Sequence, residues 1–274
     1  MSFRFGWLIL LFGVAFSAPD ASVPATPFPP TVIIERGDNT ITAIKYGPDE
    51  AGLSIDCLPN DNDPDRITTS VFYDLEPYLV HVLVDKNIIR APVVIALKKE
   101  RGDGQLEAFN GSATRRADDD PTCLPIIKKD LKPNSIFVEQ GKTKLTGSSL
   151  QYSEETGLAV IAGPITFERP QAAGSVLRGT SERITVDVDN EKTFLEGNVK
   201  LESKCRSSTA DRVEYDDREN RAILFGKPAV SKRLDGSDEI KAERLEYNLE
   251  TNDVVLEGEI TGIFDDDAKP CREN

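Results

Sequence analysis

The sequence predicts an all-β protein of stacked antiparallel hairpin repeats, with a divergent all-β N-terminal half. Three observations carry that expectation. First, Tyr152, Val186, Tyr215 and Tyr247 are each followed, at one fixed distance, by a glycine: Gly163, Gly197, Gly226 and Gly258. A constant spacing inside the unit, with variable gaps between units, marks a repeat architecture. Second, each unit reads as a hairpin, with a short strand, a polar turn (SEETG, DNEKT, DRENR, LETND) and a second strand through the glycine. Third, the apolar residues alternate at period two, as in Ile184–Val186–Val188, which favours strands over helix. A glycine recurring inside a strand predicts a bulge, a bend or a close backbone approach.

In chain order, Met1–Ala18 (MSFRFGWLILLFGVAFSA) has a basic start at Arg4, an apolar core and a small-x-small end at Ala15-Phe16-Ser17. It reads as a secretory signal, residues 1–17. Its apolar stretch is short of the roughly 20 residues that span a bilayer. A Pro-rich linker follows, residues 18–30. Residues 31–135 form a divergent β-rich region with expected strands Thr31–Arg36, Thr40–Tyr46, Ile67–Tyr73, Tyr78–Val84 and, after a turn at Asp85-Lys86-Asn87, Ile88–Leu97. Its acidic loops, PNDNDPDR and ADDDP, read as solvated loops; the second lacks the spacing of a calcium loop. Asn110-Gly111-Ser112 fits the glycosylation acceptor pattern, a match of three residues only. The repeats occupy 136–264, and an acidic tail, 265–274, ends the chain.

The net charge of −14 gives no electrostatic route to a phosphate backbone, so nucleic acid is not an expected partner. Four cysteines, Cys57, Cys123, Cys205 and Cys271, behind an export signal suggest two disulfides. Three pairings exist; Cys57–Cys123 with Cys205–Cys271 is preferred because each pair then brackets one half. No CxxC occurs and the single histidine, His81, sits in the strand-like run YLVHVLVD, so no metal site and no cofactor are expected. Enzyme readings fail on inventory: no GxSxG, Walker loop or GxGxxG is present, and carboxylate pairs such as Asp216–Asp217 lie in turns. A glycosidase assembled from distant carboxylates is the remaining enzymatic alternative.

The repeat resembles the LptA/OstA-like family of periplasmic lipopolysaccharide-transport proteins. The resemblance is carried by ADRVEYDDRENRAILFGKPAV, KAERLEYNLETNDVVLEGEI and LEGNVKLES and covers about the last half of the chain. It implies a jellyroll open on one side, whose apolar interior shields the acyl chains of lipopolysaccharide or a related envelope glycolipid. It also implies inner-membrane transporter and outer-membrane assembly proteins as partners, end-to-end self-association through edge strands, and a periplasmic or cell-envelope location. In this chain the apolar face that would line such a groove is Ile161, Ile165, Phe167, Leu195, Val199, Leu201, Leu224, Val230, Leu256 and Ile260. Lipid burial needs no directional chemistry, at about 0.8 kcal/mol per methylene. The same residues serve equally as a closed core, because any folded sheet needs an apolar face at period two. A structural or protein-interaction module with a filled core is therefore the alternative. Arg178, Arg183, Lys204, Arg206, Arg212 and Lys232 supply basic residues near the expected groove.

Overall fold

The structure is a computed structural model. It describes residues 29–263 apart from 37–38, 49–51, 58, 60–65, 85–86, 101–102, 116–125, 172–173, 191, 217–218, 249–253 and 258–260. The signal, most of the linker and the acidic tail lie outside the described residues.

The strands are β1 (Thr31–Arg36), β2 (Asn39–Lys45), β3 (Gly52–Cys57), β4 (Thr68–Asp74), β5 (Val80–Val84), β6 (Asn87–Ala91), β7 (Val93–Lys98), β8 (Gln105–Phe109), β9 (Ser112–Arg115) and β10 (Ile126–Lys129). Then come β11 (Ile136–Gln140), β12 (Thr143–Gly147), β13 (Ser149–Ser153), β14 (Leu158–Pro170), β15 (Val176–Asp187), β16 (Lys192–Glu202), β17 (Arg206–Asp216), β18 (Arg221–Arg233), β19 (Glu239–Asn248), β20 (Val254–Glu257) and β21 (Thr261–Ile263). Nineteen strands form one antiparallel sheet, and β9 and β10 pair as a separate hairpin. No α-helix occurs among the described residues.

From β14 to β19 the chain is a meander of long strands, 10 to 13 residues each, and every one is bent near its middle. The register slips at each bend: at Ala162/Ile165, Thr180/Arg183, Glu196/Val199, Thr209/Arg212 and Phe225/Ala229. Three of these slips fall on the repeat glycines Gly163, Gly197 and Gly226, so the recurring glycine does mark a bulge. Gly197 shows why. Its φ is +77°, and a Cβ there would stand 2.5 Å from Glu182 Oε2. A side chain is excluded both by the left-handed backbone and by the crossing strand.

The bends fold the sheet into two walls. The front wall contains the later half of β14, the first half of β15, and so on; the back wall contains the complementary halves. The N-terminal region continues both walls with strands broken where the later ones bend. In the front wall the pairing runs β1–β2–β5–β6–β11–β12–β14. In the back wall it runs β3–β4–β7–β8–β13–β14. The predicted strands of this region are present, with one refinement: Ile88–Leu97 is two strands, β6 and β7, parted at Pro92, which cannot donate to a ladder.

Inner side chains of both walls merge into one apolar cluster running from Ile34 to Tyr247. The crossing between walls in the N-terminal half is pinned by a buried ion pair. Lys45 Nζ lies 3.3 Å from Asp74 Oδ1, with the side chains 1% and 0% exposed. The same ammonium donates to the Gly47 carbonyl at 2.6 Å, and Gly47 N–H donates to Asp74 Oδ2 at 2.9 Å. A second, smaller cluster, Val93, Ile95 and Phe109, lies on the outer face of the back wall.

Candidate functional site

The candidate site is the interior between the walls. Along β14 the inward residues are Ala159 and Ile161 before the bend, then Ile165, Phe167 and Arg169 after it. On β15 they are Leu177, Gly179 and Ser181, then Ile184 and Val186, with Val188 buried in the turn that follows. β16 contributes Thr193, Leu195, Val199 and Leu201, β17 Ser208, Ala210, Val213 and Tyr215, and β18 Ala222, Leu224, Ala229 and Ser231. Inward positions keep spacing two on each side of a bend and skip across it.

That skip corrects one expectation. Ile161, Ile165, Phe167, Leu195, Val199, Leu201 and Leu224 are buried and face inward. Val230 does not join them: it is half-buried on the other face, and its neighbour Ala229 is fully buried instead. In β14 and β16 the skip is an even number of residues and parity survives; in β18 the bulge runs from Phe225 to Ala229 and parity inverts. Leu256 is paired in register with inward-facing Leu245, and Ile260 lies outside the described residues.

Among the described residues, the inward side chains of the two walls pack against one another. Two voids open between the walls, of about 10 Å³ beneath Val84, Leu150, Ile161 and Val186, and about 20 Å³ beneath Leu145, Phe167, Leu195 and Tyr215. Each holds about one water at most. The first void is lined by front-wall residues of β5, β6, β11 and β12 and back-wall residues of β13 to β15, the second by front-wall residues of β12 and β14 and back-wall residues of β15 to β17, so the walls cross with an offset, as twisted sheets do. A larger hollow of about 690 Å³ lies on the outer face of the front wall, among Arg90, Phe137, Glu139, Lys144, Arg178 and Lys200. Its lining is mostly outward-facing side chains but also includes Val138, Leu145 and Phe167, which line the interior voids as well.

The basic residues singled out by sequence are not a cationic cluster. Arg178 pairs with Glu168 at 2.9 Å, Arg183 with Glu196 at 2.9 Å and Arg206 with Asp238 at 2.6 Å. Arg212 stacks 4.2 Å from the Phe194 ring centroid, and Lys204 and Lys232 are exposed. The arginine that reaches the interior is Arg169, 2% exposed, which sequence reasoning passed over. Its signal was present: Ile165, Phe167 and Arg169 stand two apart, so parity alone turns it inward. Arg169 Nη1 donates to Tyr215 Oη at 2.8 Å, and Thr143 Oγ1 shares a 2.5 Å hydrogen bond with the same phenol. Arg169 Nη2 donates to Asn220 Oδ1.

His81 faces outward on β5, edge-on to Tyr46 at 4.8 Å. Partial burial, then the nearby Arg90 charge, holds its pKa below the ordinary histidine value. Arg90 in turn hydrogen-bonds Glu139 across β6 and β11 at 3.1 Å and holds that carboxyl below its usual range. Cys57 and Cys205 are disulfide-bonded; Cys123 and Cys271 lie outside the described residues. Among the described residues no group of three or more His, Cys, Asp or Glu is arranged to hold a metal.

With this geometry in view, the comparisons with known proteins are specific. Residues 134–253 match the family described as LptA/(LptD N-terminal domain) LPS transport protein. No curated protein matches the chain. Among solved structures, one match is LptH of Pseudomonas aeruginosa, the LptA-homologous periplasmic component of its lipopolysaccharide transport device. It is 15% identical, covers 45% of this chain and 94% of its own, and superposes with a TM-score of 0.35. The bent-strand repeats at residues 134–253 are thus similar to the LptA/LptD N-terminal family of lipopolysaccharide-transport proteins, over somewhat less than half of the chain.

Proposed function

We propose that this chain is an exported, periplasmic carrier or bridge that shields the acyl chains of lipopolysaccharide, or a related envelope glycolipid, between its two walls on the way to the outer membrane. The observation that carries the reading is a single apolar interior, continuous across both walls, in a chain whose residues 134–253 match the model of a lipopolysaccharide-transport family. Among the described residues, the long strands pass from wall to wall along one side, at the bends. Parting them along the other side exposes apolar surface that acyl chains cover again, at about 0.8 kcal/mol per methylene. The lining proposed is Ile161, Ile165, Phe167, Leu195, Val199, Leu201 and Leu224, with Leu256 and Ile260 at the C-terminal end. The role is non-enzymatic and needs no cofactor. Inner-membrane transporter and outer-membrane assembly proteins, or further copies of the chain joined edge to edge, are the partners proposed. Residues 1–17 act as the cleaved signal and 18–30 as a linker; 31–135 extend the sheet of domain 136–264, and 265–274 is tied back through Cys205–Cys271.

One observation favours a second reading. Voids of about 10 and 20 Å³ leave no room for a chain unless the walls move, as expected of an envelope module with a filled core and no cargo. Native mass spectrometry of the mature protein from its own host separates the two. A mass excess that organic extraction removes and that yields fatty acyl species supports the carrier. A bare polypeptide mass, less the hydrogens of two disulfides, sinks it.

A further inference from the structure

The only buried arginine among the described residues sits where the two walls meet opposite their bends. Arg169 is the last inward residue of β14 before the turn, at the tip of the front wall. Thr143, the first residue of β12, is at the same tip. Tyr215 ends the inward row of β17 at the tip of the back wall, and Asn220 lies in the turn that follows it. All three hydrogen bonds within this group cross from one wall to the other, over 46 to 72 residues of sequence. The guanidinium also lies 6.0 Å from the Tyr215 ring centroid. The void of about 20 Å³ is directly behind, lined by Thr143 and Tyr215 themselves.

We propose that Arg169, Thr143, Tyr215 and Asn220 form a latch that holds the mouth of the interior shut, and that the interior opens by its release. The chemistry suits a contact meant to part. A buried guanidinium gives up hydration that its hydrogen bonds only partly replace, so opening returns it to water at little cost, whereas parting two apolar tips would carry the full hydrophobic penalty. The tips of this mouth are therefore the loosest part of a core that is otherwise close-packed. The further step, that an acyl chain enters past this latch, rests on the lipid-carrier reading above.

Tyr215→Phe tests it. The substitution keeps the ring and removes the one hydroxyl bonded to both Arg169 and Thr143. Tyr247→Phe, which removes a buried hydroxyl at the same position of the next unit, is the control. Amide hydrogen exchange is read over 165–170 and 213–223, and uptake of the fluorescent fatty acid cis-parinaric acid is followed in parallel. The expected result is exchange about tenfold faster at those tips in Tyr215→Phe, the loss of roughly one to two hydrogen bonds, with Tyr247→Phe unaffected there. Arg169→Met should reproduce it. Unchanged exchange, equal acceleration in both tyrosine variants, or acceleration spread evenly to β4 and β7, overturns the latch. Faster exchange at the tips with faster fatty-acid uptake supports latch and carrier together. Faster exchange with no uptake by parent or variant supports the latch and counts against the carrier.

Discussion

At the scale of single residues, charge and backbone geometry decide more than hydrophobicity does. Lys45 and Asp74 are each almost fully buried, form an ion pair, and each hydrogen-bonds the Gly47 backbone. Asp74→Ala leaves an ammonium enclosed without its counter-charge, so it should cost about 3–5 kcal/mol in urea unfolding; Lys45→Met with Asp74→Leu together should cost far less. Gly197→Ala forces a Cβ against Glu182 at positive φ, and about 1–2 kcal/mol is expected from the backbone alone. His81 has a folded pKa below its unfolded one. The unfolded chain therefore binds the proton first, so His81's contribution is complete above about pH 6.5 and is lost as pH falls below it. Since the chain has one histidine, His81→Gln should flatten the part of the urea-midpoint decline seen between about pH 7.5 and 5.5. A variant that tracks the parent over that range contradicts the assignment.

At the scale of the element, the bend is what the repeat encodes. Each long strand needs one place to turn from front wall to back, and a glycine offers the extra residue without a side chain to bury. The same device explains how far the interior was legible. Period two identifies the inward rows on either side of a bend, and so finds Ile165, Phe167, Leu195 and Val199. It carries no information across the bend, because the number of residues absorbed there differs between strands. Val230 was misplaced for that reason, and Ala229 was hidden by being small. Between neighbouring strands, the Phe167 ring lies over Gly179, its register partner. A Cβ at Gly179 would come 2.0 Å from Phe167 Cζ. Gly179→Val should displace the ring and lower stability by about 1–3 kcal/mol, as overpacking does, and a Gly179→Val, Phe167→Leu pair should recover much of it.

At the scale of the molecule, the two halves share one sheet, although only the second half reads as repeats. In the N-terminal half the strands are short and broken, with an ion pair, a proline and loops where the later strands have glycine bends, so no fixed spacing survives to be seen. The pairing across the junction is nonetheless complete: β6 with β11 in the front wall and β8 with β13 in the back. Without residues 1–133, both β11 and β13 become open edges, and Ile136, Val138 and Leu150, now 0–3% exposed, lose their cover. Open, flat, apolar edges pair with whatever strand they meet. On the proposed Cys205–Cys271 pairing, a fragment of residues 134–274 keeps that disulfide. It should sediment as dimers and larger species at concentrations where the whole mature chain is smaller, and Val138→Lys on the bared edge should reduce that association. A monomeric fragment melting as cooperatively as the whole chain would instead mean that the family-matched segment is a self-sufficient domain and that the N-terminal strands are an addition to it.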